Sequence, residues 1–120
     1  MVVLDTGKTG YTLVFGREWK GELMAHILAV DEEFTTAEAH DYVLGKGHVI
    51  SRASVINFLQ AQADEGWLRG HKVPGKGGMR GVFRRNMTPR KFWVAVANLA
   101  LTTVMEQSGF VDLFPLPTSE

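Results

Sequence analysis

The stretch 67–88 constrains the fold most. It reads WLRGHKV-PGKGGM-RGVFRRNM, two runs around a loop that holds Pro74, Gly75, Gly77 and Gly78. Glycine supplies backbone angles closed to other residues, and proline interrupts a regular run. The pattern therefore predicts two strands joined by a glycine-rich turn. A two-stranded hairpin alone is marginal in water. It must pack on something, and the flanking sequence supplies helices.

Over 17–30, Trp19, Leu23, Ile27 and Val30 recur at three- and four-residue steps, with Met24 and Leu28 widening the stripe. That spacing predicts a helix. The acidic run 31–33 lies where a helix dipole disfavours it, so the helix stops there. Phe34 suits a short extended piece. Thr35 and Glu38 have the spacing of a capping box, which opens a second helix ending at Gly45 or Gly47. Ser51 caps a third helix that ends at Gly66, with Val55, Phe58, Leu59 and Gln62 on one face. Thr88 and Pro89 pair an N-cap with a first-turn proline, and a fourth helix follows to about Gln107. Residues 2–15 hold two short apolar runs around a turn, which predicts a hairpin or an extended arm. The tail GFVDLFPLPTSE is apolar with two prolines and reads as extended. The chain divides into an arm over 1–16, a domain over 17–88, a helix over 89–108 and a tail over 109–120. The predicted class is α+β, mostly helical: a winged helix-turn-helix followed by a C-terminal dimerisation helix.

The net charge is zero, but the charges are segregated. Residues 17–66 carry four basic and nine acidic side chains, whereas 67–105 carry eight basic ones and no acid. Such a segment places a positive patch on one face, or simply solvates a surface. There is no cysteine, so disulfide scaffolds, thiolate metal sites and thiol nucleophiles are excluded. His26, His40, His48 and His71 lack metal-ligand spacing. No G-x-S-x-G elbow is present. The fragment GKTG at 7–10 lacks the full phosphate-loop spacing. The expectation is a protein that is not an enzyme and needs no cofactor. The N-terminus lacks a signal-peptide pattern, and the run 92–101 is about half of a membrane span. A cytoplasmic protein with no membrane partner is expected.

The blocks W-x-x-x-L-M-x-x-I-L at 19–28, T-T-A-E-A at 35–39, I-S-x-x-S-V-x-x-x-L at 50–59, E-G-W-L at 65–68, R-G-V-F at 80–83 and M-T-P at 87–89 stand in a telling order. Over about 70 residues the chain resembles winged-helix transcriptional regulators of the penicillinase-repressor (BlaI/MecI) and MarR groups. The resemblance implies that the third helix, 51–65, is a recognition helix and that 73–80 is a wing. Two features depart from the pattern. Gln62 stands where the family has an apolar residue, and the recognition helix carries only Arg52 as a basic residue.

Double-stranded DNA is the expected partner. Phosphate neutralisation needs cations, and Arg69, Lys72, Lys76, Arg80 and Arg84 are the candidates. Base reading needs polar side chains on the outward face of the recognition helix, and Arg52, Ser54, Asn57 and Gln60 have suitable types. The plain alternative for these residues is surface polarity or loop solubility. The fourth helix is apolar nearly all round, through Phe92, Trp93, Val96, Leu99, Leu101 and Val104. A second copy is the expected cover, and packing by the arm and tail is the alternative. A pocket lined by Trp19 or Trp93 could hold a small-molecule or protein effector, although aromatic residues at helical spacing usually form core. The competing function is a winged-helix protein-interaction module that binds no DNA.

Overall fold

Three helix caps set the frame. Thr35 Oγ1 accepts from the Glu38 backbone N–H at 3.1 Å, and Glu38 returns a carboxylate oxygen to the Thr35 N–H at 3.0 Å. Ser51 Oγ accepts from the Ser54 N–H at 3.1 Å. Thr88 Oγ1 accepts from the Lys91 N–H at 3.2 Å. Each cap satisfies a donor that the first turn leaves free. The computed structural model describes residues 4–5, 7–75 and 78–108. In order they form α1 (Thr12–Phe15), α2 (Glu18–Ala29), β1 (Phe34–Thr35), α3 (Thr36–Gly45), α4 (Arg52–Asp64), β2 (Leu68–Gly75), β3 (Gly78–Arg85) and α5 (Pro89–Ser108).

The arm differs from expectation. Residues 12–15 are helical rather than a strand. Gly10 and Gly16 both adopt positive φ, at 58° and 80°, so the chain turns at each end of this short run and folds back. Its apolar side chains then reach the core: Phe15 stacks on Phe92 at 5.9 Å and meets Phe58 edge-on at 5.5 Å. α1 crosses α2 at Gly21, where a Cβ would lie 2.7 Å from the Thr12 backbone nitrogen. Only a bare α-carbon admits that approach.

The sheet has the order β1-β3-β2, antiparallel throughout. The strands run further toward the tip than the sequence pattern predicts. Pro74 pairs with Met79 and Gly75 with Gly78, leaving 76–77 between them. Gly78 has φ 128°, which a tight reversal needs. β2 is an edge strand, where a proline without N–H is tolerated. Phe83 lies on two bare α-carbons: a Cβ at Gly70 would fall 2.8 Å from its ring, and one at Gly81 3.1 Å.

Leu23, Met24 and Leu28 of α2, Val43 of α3, Val55 and Leu59 of α4, and Phe92 of α5 are fully buried together. Each such side chain contributes about 1.5–3 kcal/mol. Two residues expected at a contact between copies therefore sit elsewhere. Phe92 (0% exposed) and Val96 (4%) belong to the chain's own core. The reason is the arm: α1 and Trp67 close over the inner side of α5. The predicted tail over 109–120 lies outside the described residues.

Candidate nucleic-acid interface

α4 buries Val55, Phe58, Leu59 and Gln62. At about 100° per residue the opposite face carries Ala53, Asn57, Gln60 and Asp64, and all four are exposed. Ser54 and Ala61 flank it on the side of α1 and α2. Gln60 donates from Nε2 to Asp64 Oδ1 at 3.1 Å, so its amide is held along the helix. Ser54 Oγ lies 2.9 Å from Ser51 Oγ and takes part in the cap. Asn57 has a free amide on this face, and Arg52 is exposed in the first turn.

The turn that carries α4 is anchored by two histidines. His40 Nε2 is 2.8 Å from the Ile50 carbonyl oxygen, and His48 Nε2 is 2.8 Å from Glu22 Oε2. These contacts tie the approach to Ser51 onto α3 and α2.

The wing cations divide by strand face. Opposed residues of antiparallel strands share a face. Lys72 shares a face with Phe83 and borders a small cavity with Gln60. Arg69, Arg80 and Arg84 lie on the other face. Arg80 is exposed near the tip. Lys76 lies outside the described residues. Arg84, expected to face a phosphate, is instead committed internally. Its Nε donates to Asp31 Oδ1 at 2.9 Å and its Nη2 to the Asp31 carbonyl at 3.1 Å. Arg85 donates from Nη1 to the Leu28 carbonyl at 2.7 Å. The two arginines fasten β3 to the end of α2. The acidic run 31–33, whose place against the wing no local pattern reveals, accounts for this.

The Arg84 hydrogen bond and the charges of Arg84, Arg85 and Arg69 hold the Asp31 carboxyl below its usual range, against a smaller opposing effect of burial. A depressed carboxylate stabilises the fold above its unfolded value, and this stabilisation is lost as pH falls through the folded value. Asp31→Asn should therefore flatten the acid limb of a stability–pH curve below about pH 4. Chemical denaturation between pH 2 and 7 would show this. An unchanged limb would mean that the pair carries no pH dependence.

The architecture is a winged helix. No family model matches the chain, and no curated protein matches it in sequence. Among solved structures, a "possible transcriptional regulator" from Methanosarcina mazei Go1 superposes with a TM-score of 0.63 at 8% identity, over 80% of this chain and 77% of that one. A PadR family transcriptional regulator from Eggerthella lenta DSM 2243 gives a TM-score of 0.47 at 14% identity, over 77% of this chain and 80% of that one. The first likeness shows a shared fold.

Two cations escaped the sequence reading. Arg17 and Lys20 line an open groove together with Ser54 and Asn57. They lie in the acid-rich half of the chain, and only the docking of α2 beside α4 brings them to this face. The apolar surface of α5 divides into two sides. Trp93 packs on Tyr11 at 4.9 Å and is half-buried. The outward side carries Val94, Ala97, Leu101 and Val104, at alternating three- and four-residue steps. Val94 is 39% and Val104 55% exposed. Leu99 is exposed off this stripe. No helix among the described residues is long and apolar enough to cross a membrane.

Proposed function

We propose that the chain is a dimeric, sequence-specific DNA-binding transcriptional regulator that carries out no catalysis. The observation that carries this reading is the outward face of α4. Asn57 and Gln60 stand there with Arg17 and Lys20 on one flank and Lys72 on the other. Polar reading groups between two sets of cations suit a helix in a major groove, with phosphates on either side. The sequence blocks that resemble the penicillinase-repressor and MarR groups support the same assignment.

The second copy docks through the α5 stripe. Residues 94, 97, 101 and 104 follow the spacing of a coiled-coil seam. A two-fold contact there removes exposed apolar surface and fixes the distance between two recognition helices. For reading one face of a duplex that distance is about 34–36 Å.

Fluorescence anisotropy with a duplex selected from a random pool tests the reading. Asn57→Ala should cost about 1–3 kcal/mol on the selected duplex and little on random DNA. Lys72→Ala should weaken both alike and lower the slope of log K against log salt by about 0.9. Equal loss on both duplexes for Asn57→Ala would remove it from base reading.

One observation favours the alternative, a protein-interaction module. A cavity of about 410 Å³ between α2, β1 and α3 has Leu23, Ile27 and Phe34 among its walls and Glu32, Glu33 and Asp41 at its rim, with no Lys or Arg among the described residues that line it. A basic partner segment would suit it. A chain that binds no duplex at low salt would support that module.

A further inference from the structure

The outward face of α4 is short of charge and rich in carbon. Arg52, Ala53, Ile56, Asn57 and Gln60 are exposed and fall within an arc of about 140°, at about 100° per residue. Arg52 alone among them is basic. Ile56 keeps 39% of its surface in water, and Val49, in the turn just before the Ser51 cap, keeps 97%. No acidic residue stands between Asp41 and Asp64 in the chain.

Single apolar side chains on a surface are ordinary. Val49 differs in how it is held. The chain turns at Gly47, with φ 89°. The residue on each side of Val49 is then tied down. His48 donates its backbone N–H to the Val43 carbonyl at 3.1 Å, and its Nε2 lies 2.8 Å from Glu22 Oε2. The Ile50 carbonyl lies 2.8 Å from His40 Nε2. A β-branched side chain is also stiff at χ1. The Val49 methyl groups therefore stand in water on a fixed turn.

The major groove shows a different chemistry at each base. Arg or Lys reads guanine, a carboxylate reads cytosine, Asn or Gln reads adenine, and apolar side chains meet the thymine methyl. For guanine the face offers only Arg52. Its carboxylate, Asp64, lies in the last turn and accepts from Gln60 Nε2 at 3.1 Å. The amides of Asn57 and Gln60 suit adenine. Val49 and Ala53 suit thymine, and they stand on either side of the Ser51 cap. In helix-turn-helix docking this is the end of the recognition helix that meets base edges.

We propose that the DNA site of this protein is dominated by A·T pairs, and that Val49 and Ala53 read thymine methyl groups in it. The inference rests on the DNA-binding reading above and names the sequence class which that face selects. The scarcity of basic residues on α4 then reflects which bases are read. The flanking cations supply affinity, and the amides and methyl groups supply selectivity.

Replacing thymine by deoxyuridine tests this, because it deletes the methyl group and keeps every base-pairing hydrogen bond. The full chain first selects a duplex from a random pool, and the recovered half-site should consist mainly of A·T pairs. Deoxyuridine is then placed at each thymine in turn, and binding is read by fluorescence anisotropy. At the thymines that are read, the loss should be about fourfold, the worth of one buried carbon group. In Val49→Ala, or in Ala53→Ser, the loss at the matching thymine should shrink below about twofold, because less apolar surface meets the methyl. Neither variant should change the slope of log K against log salt, since no phosphate contact is removed. Val49→Ala should keep the wild-type thermal midpoint, because the side chain is almost wholly in water.

A half-site built mainly of G·C pairs overturns the proposal, as does a site whose thymines all tolerate deoxyuridine. A full methyl loss in both variants overturns the assignment to Val49 and Ala53. A chain that selects no duplex at low salt overturns the regulator reading itself. One that selects a duplex but ignores its methyl groups overturns this inference alone.

Discussion

Phe92→Ala is expected to destabilise the protein by about 3–5 kcal/mol. The ring is fully buried and touches four other aromatic rings: Tyr11 at 5.4 Å, Phe15 at 5.9 Å, Trp67 at 4.8 Å and Trp93 at 5.2 Å. These rings come from the arm, the start of the wing and α5. Removal of the Phe92 ring leaves a cavity that these rigid neighbours fill poorly. Domains are stable by only about 5–15 kcal/mol, so the loss is a large fraction of the total. Urea unfolding should show a lower midpoint. A cost under about 1 kcal/mol, the scale of a surface change, would mean that the arm collapses into the space and does not frame the core as described.

Val94→Glu with Val104→Glu is expected to give a monomer. Both residues are exposed within the single chain, so the fold should survive. In a two-fold contact each glutamate would be buried against apolar surface without a partner charge, which is strongly unfavourable. Losing the second reading head should weaken binding to a two-half-site duplex by about 100-fold or more, because the avidity of the linked site is gone. Binding to an isolated half-site should hardly change. Sedimentation with and without the substitutions checks assembly, and anisotropy on both duplexes checks the coupling. A wild type that sediments as a monomer at tens of micromolar, a concentration well above the Kd expected of a stable dimer, would sink the α5 contact.

The helices and the wing were legible because local chemistry dictates them. The Thr35–Glu38 box, the Ser51 and Thr88 caps and the glycines at 75 and 78 act over three or four residues. The arm was not legible, since its helical turn depends on Gly21 admitting Thr12 from outside the segment. The same limit governs the site. Asn57 and Gln60 could be placed outward from helix periodicity alone. Arg84 has the type of a phosphate contact, yet Asp31, 53 residues earlier, claims it. Arg17 and Lys20 gave no signal, because their role depends on which helix lies alongside. Phe92 and Val96 look exposed only if the arm is left off the core.

Phe83 resting on Gly70 and Gly81 also acts as a ruler. Antiparallel strands can slide by two residues and keep every side chain on its face, which hydrophobic patterning alone does not penalise. Here such a slide would bring Leu68 or Lys72 opposite Phe83, where Gly70 now sits, and the ring would have no room. Two residues correspond to about 7 Å along a strand, about twice the base-pair rise of a duplex. The aromatic ring thus sets how far the wing tip, with Arg80, projects from the body.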